Sequence, residues 1–196
     1  GTLLAAGKSY GDVYAQLDAR ARELLRGRGT NAQAAREVQA HRHAFKDRRA
    51  TLPMLPATAE EATIRQNANL VKVVTSGPEA PSEQPIWAGG RWRMTQRARW
   101  WNEYRDAPAV VMGHYWRRDA RAQPADVTGD WDYPLGDHGP YEWMGPRGNV
   151  FCVDYSVGGR YLERARGGQP PYQTRLAALR WPERALVFDD GEQHPL

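Results

Sequence analysis

His114 follows directly after a short apolar run, in the segment PAVVMGHYWRR at residues 108–118. A run of Ala, Val, Val and Met is typical of a strand that is buried on both faces of a sheet. Gly113 ends the run, so the imidazole is predicted to lie at the carboxyl end of a strand, where ligands bind in α/β sheets. A neutral imidazole nitrogen is the commonest protein ligand for metals. The alternative is a core histidine whose ring is hydrogen-bonded to a backbone carbonyl.

A second apolar run, NVFCVD at residues 149–154, ends in a carboxylate. Asp154 could orient the His114 ring, because carboxylates often hold metal-bound imidazoles in this way. The alternative is that Asp154 bonds the backbone of the Ser-Val-Gly-Gly turn that follows it. Both interpretations of Asp154 stay open from the sequence.

Three arginines close to these strand ends are candidates to bind phosphate: Arg117, Arg118 and Arg160. A guanidinium fork matches phosphate oxygens in pairs. Residues 91–121 hold eight arginines and three carboxylates, a local charge of +5, whereas the whole chain carries +4. The positive charge is therefore concentrated around His114, and we expect a phosphate-bearing partner.

The elements that position these residues are predicted from periodicity and turn chemistry. The amino end is predicted to be helical over residues 10–26, from Asn31 to Phe45, and from a Thr58–Glu61 capping box to Asn67. Strands are predicted at residues 70–75, 109–112, 149–154, 175–181 and 185–188, the last two as an antiparallel hairpin turning at Pro182-Glu183. Gly89-Gly90, between Trp87 and Trp92, predicts a short two-stranded ribbon.

Thr95 is predicted to cap a helix that continues to Tyr104. This helix would connect the strand at residues 70–75 to the strand before His114. Such a crossover is parallel, so Thr75, Ser76, Gly77 and His114 are expected at one edge of the sheet. Residues 119–148 show no period and predict a long ordered loop, a kind of segment that is often functional.

The predicted fold class is therefore α/β. Residues 1–68 form a mainly helical segment, which could be a cap or an insertion, and residues 69–196 form a sheet domain. Cys152 is the single cysteine, which excludes a disulfide scaffold and a cysteine-rich zinc module. No apolar run approaches the ~18 residues of a membrane span and no signal peptide is evident, so we expect a soluble, cytoplasmic protein.

Five segments in order resemble the carboxyl half of bacterial calcineurin-like metallophosphoesterases, in the branch of serine/threonine phosphatases and diadenosine tetraphosphatases. The segments are NANLVKVVTSGPE, GGRWRMTQRARWWNEY, PAVVMGHYWRR, NVFCVDYSVGGRY and LAALRWPERALVFDDGE, which together cover about residues 70–192. The resemblance implies a partial α/β sandwich and hydrolysis of phosphomonoesters, phosphoproteins or dinucleoside polyphosphates.

The resemblance also implies two divalent metal ions, of the Mn, Fe or Zn class, with His114 as a ligand to one of them. The family's other ligand motifs, DxHG, GDxxDRG and GNHE, have no counterpart before His114, and Trp116 stands where many relatives carry a second histidine. Gly129–Asp132, Gly136–Gly139 and Gly148-Asn149 only look like such motifs and are interpreted as loop turns. We therefore expect a carboxyl-terminal fragment that is inactive or nearly so by itself.

Two other hypotheses remain. One is a non-catalytic nucleic-acid-binding module, in which the arginines and tryptophans of residues 91–105 neutralise and stack on single strands. Under the phosphoesterase interpretation we expect a phosphate-bearing substrate and no nucleic acid or membrane partner. The other is a scaffold with a degenerate site. The sequence does not determine the substrate, the metals or the oligomeric state.

Overall fold

The computed structural model describes residues 7, 9–120 and 135–196, and these residues fall into two compact units. The helical unit extends to Ala98, and the sheet unit begins at Arg99. Residues 69–98, which the sequence groups with the later domain, lie in the helical unit by their contacts. The described chain contains both helices and strands, in agreement with the predicted mixed α/β class.

The helices are α1 (Tyr10–Arg28), α2 (Thr30–Ala40), α3 (Pro56–Asn67), α4 (Leu70–Ser76) and α5 (Arg160–Ala165). The strands are β1 (Glu79–Ala88), β2 (Arg91–Arg97), β3 (Val110–Met112), β4 (Val150–Cys152), β5 (Ala177–Arg180), β6 (Ala185–Phe188) and β7 (Gln193–Pro195). Short 3₁₀ turns lie at Trp100–Glu103 and Val157–Gly159. No helix among the described residues is both long and apolar enough to cross a membrane.

The first two helices of the helical unit are predicted correctly in type, and the second ends earlier than predicted. Ser9 and Asp12 form a reciprocal capping box at the start of α1, and Gly29 ends the helix with a φ of 69°. Helix α2 ends at Ala40 instead of Phe45. The chain leaves the helix there because Phe45 packs on a core cluster with Leu55 and Met94.

Helix α3 begins two residues before the predicted Thr58 cap. Its amino end, Leu55, has no capping side chain, and Glu37 of α2 supplies the acceptors instead. The Glu37 carboxylate accepts the backbone N–H groups of Ala57 at 3.1 Å and Thr58 at 2.7 Å. A carboxylate from a neighbouring helix thus satisfies donors that a local cap would otherwise bind.

The predicted strand at residues 70–75 is wrong, because this segment forms helix α4. Asn69 caps it by accepting the Val71 N–H at 3.1 Å, and the Thr75 hydroxyl donates to the Val71 carbonyl at 2.9 Å. The Asn69 amide also donates to the Tyr14 carbonyl of α1. Capping and docking on α1 outweigh the modest strand preference of a β-branched run.

The ribbon predicted around Gly89-Gly90 is confirmed by the antiparallel pair β1–β2, in which Trp87 is opposite Trp92. The predicted helix from Thr95 to Tyr104 is wrong. Residues 95–97 instead continue β2, in which Trp92 and Met94 pack on the core cluster and Arg91 and Arg93 are exposed, the two-residue period of a strand. A 3₁₀ turn at Trp100–Glu103 follows.

The sheet unit is built on the parallel pair β3–β4 and the antiparallel sheet β5–β6–β7. The hairpin predicted at residues 175–188 is confirmed by β5 and β6, whereas β7 is not predicted. All three residues of β4 are buried, because Val150 and Cys152 pack in one core cluster and Phe151 packs in another. The expected burial of both faces of the β3 run is wrong, since Val111 is 48% exposed.

Candidate functional site

The carboxyl ends of β3 and β4 bring His114 and Asp154 together. The two strands are parallel, with Met112 opposite Cys152, so the residues that follow them lie at one edge. The backbone N–H of His114 donates to Oδ2 of Asp154 at 2.8 Å. The predicted neighbours at this edge, residues 75–77, lie in the other unit, so that part of the prediction is wrong.

Asp154 acts on the backbone at both of its carboxylate oxygens. Oδ2 accepts from His114, and Oδ1 accepts the N–H of Ser156 at 2.9 Å, at the start of the Ser-Val-Gly-Gly turn. The Asp154 carbonyl also accepts the N–H of Arg117 at 2.6 Å. Asp154 therefore fixes the main chain on both sides of the edge, and its carboxylate reaches His114 through the backbone amide.

Side chains after β3 alternate between the surface and the interior. His114, Trp116 and Arg118 are exposed, whereas Tyr115, Arg117 and Asp119 are 3%, 3% and 4% exposed. Tyr115 packs edge-on against the buried ring of Trp101 at 5.2 Å between centroids. The inward residues anchor the segment, and the outward ones are left at the surface.

Two of the outward residues have left-handed backbone conformations. The φ angle is +67° at His114 and +55° at Trp116. Such a conformation costs a side-chain-bearing residue on the order of 1 kcal/mol, and strained residues of this kind cluster at functional sites. The hydrogen bonds to Asp154 and the packing of Tyr115 hold the segment in this shape.

Arg117, predicted as a phosphate ligand, lies in the interior of the sheet unit. Its Nη1 donates to the Gly139 carbonyl at 2.6 Å, and its guanidinium carbon lies 4.7 Å from the centre of the Phe151 ring. Nε and Nη2 are buried without a hydrogen-bond partner among the described residues. Beside it, burial raises the pKa of the Cys152 thiol and of the Tyr155 hydroxyl.

The other two predicted phosphate ligands are placed differently from each other. Arg160 is partly buried, donates from Nη2 to the Thr174 carbonyl at 2.6 Å, and pairs with the carboxylate of Asp189. The hydrogen bond with Asp189 raises the pKa of Arg160 and lowers that of Asp189. Arg118 is exposed and lies four residues after His114 in the same segment. Of the three, Arg118 is the exposed one.

An ion cluster around the buried Arg175, which sequence reasoning missed, lies at the far end of this segment, and its carboxylates Asp190 and Glu192 are partly exposed. Arg175 is 2% exposed and pairs with Asp119 at 3.1 Å, Asp190 at 2.5 Å and Glu192 at 2.8 Å. Its guanidinium carbon lies 3.3 Å from the centre of the Phe188 ring. The available signal is the acidic turn at residues 189–192, which is unusual in a chain so rich in arginine.

The motif look-alikes make structural contacts where they are described. Asp137 pairs with Arg99, and Nδ1 of His138 lies 3.8 Å from Glu142. The side-chain amide of Asn149 donates to the carbonyls of residues 106–108, and these residues come just before β3. Gly129–Asp132 lies outside the described residues.

The arginines and tryptophans proposed to bind single strands are divided between the two units. Arg91–Arg97 forms strand β2 of the helical unit, whereas Trp100 and Trp101 lie in the sheet unit. Trp101 is fully buried in a core cluster, and Trp100 packs against the same cluster. Trp100 and Trp101 therefore belong to the core packing of the sheet unit.

Residues 9–120 and 135–196 contain no group of three or more His, Cys, Asp or Glu side chains arranged to hold a metal ion. A two-ion centre needs several carboxylate and imidazole ligands. The described residues can thus supply the His114 imidazole but not a complete centre. Comparison with protein-family models, curated proteins and solved structures finds no match.

Proposed function

We propose that this chain is the carboxyl-terminal part of a metal-dependent phosphoesterase, in which His114 binds one of two divalent ions. The substrate would be a phosphomonoester, a phosphoprotein or a dinucleoside polyphosphate. The observation that supports the proposal is the placement of His114: an exposed imidazole at the carboxyl end of a parallel strand, with its backbone fixed by Asp154.

Asp154 is proposed as the positioning residue for His114. Its carboxylate accepts the backbone N–H groups of His114 and Ser156. It therefore fixes the backbone position from which the imidazole projects. Mutation of a residue that holds a metal ligand in place typically costs about 10–100-fold in metal affinity or activity. We therefore assign Asp154 to the orientation of the ligand and not to the metal itself.

Arg118 is the proposed phosphate-binding arginine of this chain. It is exposed and lies in the same segment as His114, whereas Arg117 is buried and Arg160 is partly buried. A bound ion would supply Lewis-acid stabilisation of the phosphoryl group. The remaining ligands of the centre must come from residues beyond those described, and no reaction step is assigned to the described residues alone.

The test uses the complete reading frame that contains this chain. Its product is assayed for Mn²⁺-dependent hydrolysis of p-nitrophenyl phosphate, with His114→Asn as the principal variant. Asn tolerates the left-handed backbone at this position, so the substitution removes the imidazole and keeps the main-chain shape. We expect kcat/KM to fall by about 100-fold or more, beyond the effect of a second-shell change.

Arg147→Gln is the matched control, because Arg147 is exposed in the same unit and lies outside the segment after β3. We expect its activity to equal that of the wild type. Undiminished hydrolysis by His114→Asn would reject the assignment of His114. A reading frame without DxHG and GNHE motifs upstream of these residues would reject the two-ion centre.

A further inference from the structure

Residues 41–50 of the helical unit, named here the basic turn, carry four cationic side chains and one carboxylate: Arg42, Lys46, Arg48, Arg49 and Asp47. All five of these residues are exposed. The carboxylate of Asp47 accepts the backbone N–H of Arg49 at 2.9 Å, so it stabilises the turn. The exposed surface of the segment is consequently strongly positive.

The backbone of the basic turn repeats every three residues. The N–H groups of Ala44, Asp47 and Ala50 donate to the carbonyls three residues earlier, at 2.9, 3.1 and 3.1 Å. These are separate tight turns that follow one another, and His43, Lys46 and Arg49 occupy the same place in each of them. All three side chains are exposed.

The opposite side of the basic turn is anchored to the hairpin β1–β2. Ala44, Phe45 and Ala50 pack against the core cluster that contains Met94. The backbone N–H of Trp92 donates to the Phe45 carbonyl at 3.0 Å, and its indole Nε1 donates to the Asp47 carbonyl at 2.9 Å. The positive surface of the basic turn is therefore held in place by the hairpin and the core cluster.

We propose that the basic turn binds the phosphate backbone of a nucleic acid strand. A nucleic acid strand carries a closely spaced row of phosphates, which complements the exposed cations of this one short segment, Lys46 and Arg49 among them. Arg42 adds a guanidinium, which suits phosphate oxygens, and its Nε donates to Nε2 of His43 at 2.9 Å. Phe45, the aromatic residue of the turn, packs inward, so the contact is with phosphates and is independent of base sequence.

This inference does not depend on the proposed phosphoesterase activity, because the basic turn lies in the helical unit and His114 lies in the sheet unit. Loss of hydrolysis in His114→Asn and loss of strand binding in the basic turn are therefore separate results. Each proposal can fail while the other holds.

The experiment measures binding of the whole chain to a fluorescein-labelled single-stranded DNA 20-mer of mixed sequence, by anisotropy at several salt concentrations. Four phosphate contacts predict that log K falls with log salt with a slope of about −3. The variant Arg42→Gln/Lys46→Gln/Arg49→Gln should weaken binding at least tenfold at about 50 mM salt and reduce the slope by about 2. A second 20-mer of different sequence should bind equally well.

The matched control removes three positive charges elsewhere, as Arg20→Gln/Arg147→Gln/Arg166→Gln; these three arginines are exposed. It should bind within about threefold of the wild type, because these three arginines are not part of the basic turn and make none of its proposed phosphate contacts. The variant Arg42→Lys/Arg49→Lys keeps the charge and should retain binding. If the triple variant fails to fold, Lys46→Glu alone should still weaken binding about tenfold.

Three results would overturn the proposal. The first is no binding by the wild type at 50 mM salt. The second is an equal loss in the control, which would show that the charge of the whole chain is responsible. The third is tighter binding of inorganic polyphosphate or of anionic phosphatidylserine vesicles than of the oligonucleotide at equal phosphate concentration.

Discussion

The two units differ in the kind of polar residue that they bury. In the helical unit, the buried polar residues among those described are neutral: Thr30, Asn69, Ser82 and Thr95. In the sheet unit they are charged: Arg117, Asp119 and Arg175. Neutral groups need only a hydrogen bond when they are buried, whereas a buried charge needs a paired partner. The sheet unit should therefore be the more sensitive of the two to the loss of a single ionic partner.

The largest effect is expected from Arg175→Met. This substitution leaves the Asp119 carboxylate, whose side chain is fully buried, without its Arg175 partner. Removal of one member of a buried pair typically costs about 3–5 kcal/mol. Urea unfolding, followed by tryptophan fluorescence and by far-UV circular dichroism, should show the loss.

The double variant Arg175→Met/Asp119→Leu separates this cause from a general packing defect. Replacement of a whole buried pair by apolar residues is often neutral or stabilising. We expect it to recover most of the stability that the single variant loses. A double variant as unstable as Arg175→Met would contradict the ionic explanation.

The Cys152 thiol provides a probe of unfolding in the sheet unit alone. It is the single cysteine of the chain, and it is fully buried in the sheet unit. Because about 1.4 kcal/mol corresponds to a factor of ten, Arg175→Met should speed thiol labelling under native conditions by about 100-fold or more. Changes confined to the helical unit should leave the labelling rate unaltered.

In the helical unit the expected losses are smaller, as in Glu37→Gln. Burial raises the pKa of Glu37, but the hydrogen bonds from Thr58 and Ala57 outweigh it and hold the pKa below the ordinary 4.5. The carboxylate thus stabilises the fold above about pH 4.5, and this contribution is lost as the pH falls through the lowered pKa. Loss of a helix cap costs about 1 kcal/mol.

The measurement is the urea midpoint as a function of pH for the wild type and Glu37→Gln. The difference between them should be full at neutral pH and should shrink as the solution is acidified below pH 4.5. Glu23→Gln, at an exposed position of α1, is the control and should follow the wild type. A constant difference across the acid range would show that the charge of Glu37 is not involved.

The smallest stability change among these variants is expected from Arg117→Met, although Arg117 is as buried as Arg175. No salt bridge to Arg117 is found among the described residues, and two of its nitrogens lack hydrogen-bond partners. An apolar side chain of similar length can still pack on Phe151, and it loses the hydrogen bond from Nη1 to the Gly139 carbonyl. We expect a change of about 1 kcal/mol or less, measured beside Arg175→Met; an equal loss in both would remove the distinction between the two arginines.

Local patterns predict the elements that depend on local chemistry. The capped helix α1, the turn at Gly89-Gly90 and the hairpin β5–β6 follow from caps, glycine pairs and apolar runs. The strand prediction for residues 70–75 is wrong because a distant contact, from Asn69 to the Tyr14 carbonyl of α1, helps to determine their conformation. Strand β7 is not predicted because Gln-His-Pro has no apolar alternation, and only its pairing with β6 defines it as a strand.

The candidate site shows the same limit. The position of His114 after an apolar strand and its proximity to Asp154 are predictable, because both follow from runs that end in polar residues. The inward direction of Arg117 is not, since it depends on the turn of the backbone at His114 and on the Gly139 carbonyl, which lies far away in the sequence. The sequence alone therefore does not distinguish the exposed arginines from the buried ones.

The positive φ angles at His114 and Trp116 restrict which side chains these two positions tolerate, whether or not the residues take part in catalysis. At both positions glycine, asparagine and aspartate fit the main chain, whereas valine, isoleucine and threonine oppose it. In a saturation-mutagenesis library scored for expression alone, the β-branched variants should be depleted at 114 and 116 but tolerated at the outward-facing neighbour 118. The abundance of each variant in the library would then report the backbone conformation at these positions without an activity assay.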